Sequence, residues 1–213
     1  MIGILGGSFD PIHCGHLRAA LELYQDLGLS EMRLIPCGEP PHRAPPLASG
    51  AQRLAMLKAA IRGEQGLVAD ERELKRAGPS YTVDTLTSLR AEMGDDVPLC
   101  LVMGKDAFLG LHTWHRWREL VDLAHIVVAE RPGCDKLAAG EVAQMYSERR
   151  VEAAEPLRKR PAGCILPWPV PALDISSSRI RALLAAGKSV RYLVPDAVME
   201  IIQSQRIYSG DTK

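Results

Sequence analysis

Continuous apolar runs too short for helices recur along the chain: "IGIL" (2–5), "MRLIPC" (32–37), "PLCLVMG" (98–104) and "HIVVAE" (125–130), with helical periodicity between them. Runs of this kind describe strands buried on both faces, and strands alternating with amphipathic helices describe a parallel sheet covered on its two sides. The pattern predicts an α/β fold, a doubly wound and mainly parallel sheet with helices on both faces. Leu17, Ala20, Leu21, Tyr24 and Leu27 mark a helix after Gly15 that Gly28 ends. Ser49 and Gln52 form a capping box for a second helix, with Leu54, Leu57 and Ile61 inward. "GLVADEREL" (66–74) reads as a strand, and its charged end "DERELKR" (70–76) as a solvated, loosely paired face. Val83, Leu86, Leu89 and Met93 mark a further helix closed by Gly94, and a helix-poor turn follows at "KDAFLGLHTWHRW" (105–117). Helices are expected near 116–123 and 137–149, a short strand at "CILPW" (164–168), a helix from "ISSSRIRALLAAG", and a last helix with Pro195 in its first turn.

A length of 213 residues with 46% apolar content suits one domain with a real core. Lys plus Arg and Asp plus Glu both total 26, so the balance argues against coating nucleic acid or an anionic membrane. Phosphate binding must then be local. No apolar run nears the roughly 20 residues of a membrane span, and the opening "MIGILGG" lacks the features of a secretory signal, so a soluble cytoplasmic protein is expected. Cys14, Cys37, Cys100, Cys134 and Cys164 are scattered and never form C-x-x-C, which predicts reduced, mostly buried thiols.

Chemistry concentrates in "GGSFDPIHCGH" (6–16), at the first strand-to-helix turn, where backbone N–H groups and a helix N-terminus meet an anion in such sheets. Gly6 and Gly7 permit a turn and a close backbone approach, and Gly15 leaves the helix start open to a phosphate. His13 and His16, three apart, share one side of a helical turn and can each donate to a phosphate oxygen. The loop is neither G-x-G-x-x-G nor G-K-[ST]. A zinc site using H-x-x-H and a plain helix cap remain the other readings of the pair. A second candidate anion clamp is "DISSSRIR" (174–181), where Ser176, Ser177 and Ser178 precede or join Arg179 and Arg181 at a helix start; its plain reading is again a cap.

"HCGH" and "ISSSRIR" together resemble the H/T-x-G-H and I-S-S-T-x-x-R motifs of the nucleotidyltransferase superfamily. With "PPHR" (40–43), "ERELKRAGPSYTVDTL" (71–86), "GKDAF" (104–108), "TWHRW" (113–117) and "YLVPDAVMEIIQSQRIY" (192–208), the chain is similar over nearly its whole length to the bacterial nicotinate-nucleotide adenylyltransferases. Ser178 stands where many relatives carry threonine, and Arg179 adds a cation to the clamp.

The resemblance implies one Rossmann-like nucleotidyltransferase domain over 1–213, its C-terminal helical portion, about 176–208, packed on it. It implies transfer of AMP from ATP to nicotinate mononucleotide, giving nicotinate adenine dinucleotide and pyrophosphate, with Mg²⁺ carried by the ATP phosphates and no protein metal site. The ATP residues it implies are Gly6, Gly7, Ser8, Phe9, His13, Gly15, His16, Gly104, Asp106, Ile175, Ser176, Ser178 and Arg181, with His13, His16 and Arg181 catalytic. His42, Arg43, Tyr81, Thr82, Thr85, Trp114 and Arg131 would hold the mononucleotide, and backbone N–H groups near Tyr81 to Thr85 its carboxylate. The expected partners are the two substrates alone, without nucleic acid or membrane. Rival readings are transfer to another phosphate acceptor such as phosphopantetheine, a non-catalytic nucleotide-binding module, and a metal-dependent hydrolase using His13 and His16. Pyrophosphate release on adding an acceptor separates the first two, and tightly bound zinc would favour the third.

Overall fold

The computed structural model describes residues 1–41, 44–130, 140–171 and 173–209. Six parallel strands, β1 (Ile2–Gly7), β2 (Glu31–Pro36), β3 (Leu67–Ala69), β4 (Leu99–Gly104), β5 (His125–Glu130) and β6 (Ile165–Pro169), lie in the order β3-β2-β1-β4-β5-β6. The direction of winding reverses between β1 and β4, which are hydrogen-bonded neighbours, and such a reversal opens a crevice at the carboxyl ends of the two strands.

The helices are α1 (Cys14–Asp26), α2 (Gly50–Ala60), α3 (Arg72–Lys75), α4 (Thr82–Met93), α5 (Lys105–Leu109), α6 (Leu120–Leu123), α7 (Glu141–Arg149), α8 (Glu155–Arg158), α9 (Ser177–Ala185) and α10 (Asp196–Ser204). Because strand side chains alternate, each central strand feeds both layers. Cys100 and Val102 of β4 join a core with Leu23 of α1, Leu57 of α2, Ile180 of α9 and Ile202 of α10. Leu101 and Met103 join the opposite core with Leu86 of α4, Leu120 of α6 and Met145 of α7. The apolar runs at 98–104 and 125–130 are continuous because both faces of β4 and β5 are covered. Among the described residues no helix is long and apolar enough to cross a membrane.

Three local expectations are corrected. The strand expected over 66–74 stops at Ala69 and gives way to α3, because β3 is an edge strand with one neighbour and half-exposed Val68. The charges after it are tightly paired rather than loose: Arg33 binds Asp70 at 3.2 Å and Glu92 at 3.0 Å, and Arg72 binds Asp70 at 2.8 Å and Glu92 at 2.6 Å. The stretch 105–117 is not helix-poor but folds into α5 and a 3₁₀ turn at Leu111–Thr113, burying Phe108 and Leu111. In α2 the expected Leu57 and Ile61 are buried, with Arg53 and Met56 buried beside them and Leu54 half-buried, and its Ser49–Gln52 capping box is present.

Candidate active site

A cavity of about 840 Å³ occupies the crevice beyond β1 and β4. Ser8, His13, Gly15, His16, Gly104, Asp106, Ile175, Ser176, Ser178 and Arg181 all face it, so the two motifs, about 160 residues apart in sequence, meet in one wall. The N-termini of α1 and α9 abut there: a Cβ on Gly15 would lie 3.6 Å from Cβ of Ile175. Two helices thus aim their N-terminal turns and positive dipole ends into one concavity, which suits a polyanion.

His13 is the N-cap of α1, and its Nδ1 accepts the His16 backbone N–H at 3.4 Å. Accepting there leaves the neutral ring's proton on Nε2, so His13 gives one nitrogen to the helix and its donor capacity to the other end. The His13 and His16 rings stack with centroids 3.6 Å apart and planes 21° from parallel. Capping α1 and lining the cavity are therefore compatible for His13. Among the described residues no three His, Cys, Asp or Glu side chains converge on a metal position, so the zinc reading finds no third ligand there.

Two motif residues act from beneath rather than from the wall. Phe9, in the left-handed region at φ 46°, is fully buried and meets the His16 ring edge-on at 5.2 Å. Its side chain is a floor for His16, not a contact surface in the cavity. A Cβ on Gly7 would come within 2.9 Å of the Phe9 ring, so that glycine makes room for phenylalanine rather than for a ligand. Gly6 is exposed at the end of β1, outside the lining, with open space where a Cβ would stand. At Gly15 a Cβ would press the His13 ring at 3.1 Å, so glycine between the histidines leaves that ring its place in the stack.

The three serines divide their work. Ser176 caps α9 by accepting the Arg179 N–H at 3.2 Å, and Ser177 donates to the Pro11 carbonyl at 3.0 Å. Ser178 accepts from Arg181 Nη2 at 3.3 Å. Arg181 also donates from Nη1 to the Asp10 carbonyl oxygen at 2.7 Å, which turns the guanidinium across the cavity wall. Arg179 is not a second cation in the clamp: its side chain is 62% exposed and stands 3.9 Å from Asp174.

Asp10, Arg53 and Tyr208 are the functional scaffold that the sequence reading missed. Asp10 is buried, with Oδ2 accepting the Leu47 N–H at 2.8 Å and Oδ1 accepting the Ala48 N–H at 3.0 Å and the Tyr208 hydroxyl at 2.6 Å. Burial and the Asp10 carboxylate drive the Tyr208 phenol far above its ordinary range, so it stays a donor. Arg53, fully buried on α2, donates to the Ser8 carbonyl at 2.8 Å and the Ala48 carbonyl at 3.2 Å, tying the first loop to the 44–48 segment. A charged residue at an apolar-periodic helix position was the available signal for Arg53.

Of the residues expected on the acceptor side, Tyr81, Thr82, Thr85 and Trp114 lie apart from this wall. Tyr81, the N-cap residue of α4, packs against His115 at 4.3 Å between ring centroids, and Trp114 lies beside it against the same core layer. Thr82 opens α4, and the N–H groups of its first turn have no intrahelical acceptor. Thr85 is corrected: its buried hydroxyl donates to Glu73 Oε1 at 2.7 Å and accepts from Arg76 Nη2 at 3.1 Å, so it is committed to the scaffold. Burial pushes the Glu73 carboxyl up, against the opposing Thr85 hydrogen bond. His42, Arg43 and Arg131 lie outside the described residues, as does Cys134. Of the other cysteines, Cys100 and Cys164 are buried, Cys14 and Cys37 half-buried, and all four are free thiols.

Residues 4–183 match the family model described as cytidylyltransferase-like. A Methylococcus capsulatus protein named "Probable nicotinate-nucleotide adenylyltransferase" is 51% identical over 98% of this chain and 100% of its own length. A Marinobacter nauticus protein of the same name is 50% identical over 97% of this chain and 96% of its own. In structure, the chain is similar to the Plasmodium falciparum nicotinic acid mononucleotide adenylyltransferase complexed with NaAD, with a TM-score of 0.75 at 18% identity, covering 100% of this chain and 98% of that one.

Proposed function

From the premise that the chain belongs to the nicotinate-nucleotide adenylyltransferases within the cytidylyltransferase-like family, we propose that it transfers AMP from ATP to nicotinate mononucleotide. The products are nicotinate adenine dinucleotide and pyrophosphate, a step of NAD biosynthesis. The observation that carries the reading is the meeting of two helix N-termini, His13, His16 and Arg181 in one cavity at the β1–β4 reversal.

The acceptor is a phosphate, already ionised near neutral pH, so its oxygen attacks the α-phosphorus without a general base. As that bond forms, the bond from the α-phosphorus to the bridging oxygen breaks and pyrophosphate leaves with the electron pair. The work of the protein is to hold two anions in line and to stabilise charge on the leaving group. We assign His16 and the Nε2–H of His13 to phosphate oxygens near the reacting bond, and Arg181 with Ser178 to the leaving pyrophosphate. Ser8, Gly104, Asp106, Ile175 and Ser176 shape the rest of the nucleotide site in this reading, Gly7 and Phe9 support it from below, and exposed Gly6 leaves room for a close backbone approach.

Mg²⁺ belongs to this reading as an ion carried by the ATP phosphates, where it would neutralise their charge. The donor set fits that division: the wall presents mainly hydrogen-bond donors and a guanidinium, and of its carboxylates Asp10 already accepts three hydrogen bonds, leaving Asp106 to meet the ion's water shell. On the acceptor side we assign the α4 N-terminus at Tyr81 and Thr82 to the nicotinate carboxylate, Trp114 to the pyridine ring, and His42, Arg43 and Arg131 to the mononucleotide phosphate. We place the reaction in the cytoplasm, supported by the free thiols.

The test is product analysis. Incubation with ATP, Mg²⁺ and nicotinate mononucleotide is expected to yield dinucleotide and pyrophosphate in equal amounts. ADP, inorganic phosphate or no product would overturn the assignment.

A further inference from the structure

Arg181 lies next to a buried carboxylate but does not form the usual fork with it. Nη1 stands 3.7 Å from Asp10 Oδ2, while donating at 2.7 Å to the main-chain oxygen of the same residue. Arginine and carboxylate in contact normally close to about 2.8 Å, often through two parallel bonds. The departure has a visible reason. Oδ1 of Asp10 receives the Tyr208 hydroxyl and the Ala48 N–H, and Oδ2 receives the Leu47 N–H, so neutral donors already surround the carboxylate.

The Tyr208 donor is delivered by a specific chain ending. α10 is anchored in the core through Val198 and Ile202 and ends with Arg206 in the left-handed region. There the Ile207 N–H bonds the Ile202 carbonyl at 2.9 Å and the Arg206 N–H bonds Gln203 at 3.2 Å, the double bond pattern that reverses a chain at a helix end. Ile207 is buried by this reversal, and Tyr208 is turned back onto a loop 198 residues earlier in sequence. The sequence motif "QRIY" is otherwise unused by the reaction.

We propose that Tyr208 is a positioning residue of the triphosphate site: its hydroxyl occupies the Asp10 carboxylate and so keeps the Arg181 guanidinium available for phosphate. This rests on the reading of the cavity as a triphosphate site. Without the hydroxyl, Oδ1 loses a donor in a buried place; of the cations near the carboxylate, Arg53 is committed to the Ser8 and Ala48 carbonyls, and Arg181 is the one left to close on it. The pair closes, and the guanidinium turns from the cavity to Asp10.

The test is calorimetric titration of Mg-ATP into the full chain, the Tyr208→Phe variant, Asp10→Asn, and the double variant. Tyr208→Phe is expected to weaken ATP binding about tenfold, with the mononucleotide KM held and only the modest fall in melting temperature that the loss of one buried hydrogen bond brings. In the Asp10→Asn background, where no carboxylate competes, the same substitution is expected to cost less than about threefold. Unchanged ATP affinity in Tyr208→Phe, or an equal loss in both backgrounds, overturns the inference while leaving the site reading intact. If Asp10→Asn does not fold, Tyr208→Phe decides alone: ATP binding weakened about tenfold below the variant's melting temperature, with the mononucleotide KM held, supports the proposal, and unchanged binding overturns it. An unaltered chain that binds no ATP removes the site reading and this inference with it.

Discussion

The two edges of the sheet use the same residue types in opposite ways. At the amino edge, buried Arg90 donates to the carbonyl oxygens of Leu123, Gly94, Asp95, Val97 and Pro161, and His125 bonds the Arg160 carbonyl through Nε2 and accepts the Cys164 N–H through Nδ1. Arginine and histidine there are fully consumed by the backbone and close the ends of the strands. At the carboxyl edge, His13 gives one ring nitrogen to its helix, and Arg181 is held by one carbonyl and one hydroxyl while facing the cavity. The difference teaches how a site is told from a brace: the braces end on backbone oxygens at the strand ends, whereas the site's side chains take their orientation from a helix start and a loop and line the cavity.

The comparison breaks first at His16. His16→Ala is expected to lower kcat about 10²–10³-fold while the melting temperature stays near that of the unaltered chain, as steady-state kinetics and thermal unfolding would record. A kcat within a few-fold of the original would return His16 to the braces. Arg90→Met should do the reverse, because it strips donors from several buried carbonyls at once. Denaturant unfolding is expected to find a loss of about 3 kcal/mol or more, with kcat and KM of the folded protein unchanged. Arg43→Ala is expected to raise KM for the mononucleotide about tenfold and KM for ATP much less, consistent with loss of one phosphate fork. An equal rise in both would remove Arg43 from the acceptor site.

The smallest effect belongs to His125. Burial holds its pKa below the ordinary value of about 6.5, so the unfolded chain binds the proton more readily than the folded one. Its contribution is fully present above pH about 6.5 and fades as pH falls below that, by at most about 1.4 kcal/mol per pH unit for one proton. Unfolding free energies measured from pH 7 to 5.5 should decline, and His125→Asn should flatten the decline.

Legibility in the sequence followed the same division. β4 and β5 were readable because burial on both faces writes continuous apolar runs, and the turn at 6–16 because its glycines and histidines are local. β3 was over-extended since an edge strand of 3 residues leaves little periodicity before charges take over. The turns of 105–117 were missed because helices of 5 and 3 residues are shorter than one reading of the helical period. The roles of Asp10, Arg53 and Tyr208 were invisible for another reason. Their hydrogen bonds join positions 37, 45 and 198 residues apart, and no spacing rule carries such pairings. Thr85 was misplaced because a threonine in a helix's first turn looks the same whether its hydroxyl meets a ligand or, as here, Glu73.

The most direct test of the whole account is the rate of pyrophosphate release from Mg-ATP with nicotinate mononucleotide, nicotinamide mononucleotide or phosphopantetheine offered singly. The expected result is strong preference for nicotinate mononucleotide, with a helix N-terminus at Tyr81 and Thr82 favouring the acid over the amide. Faster turnover of phosphopantetheine, or release independent of any acceptor, would contradict it.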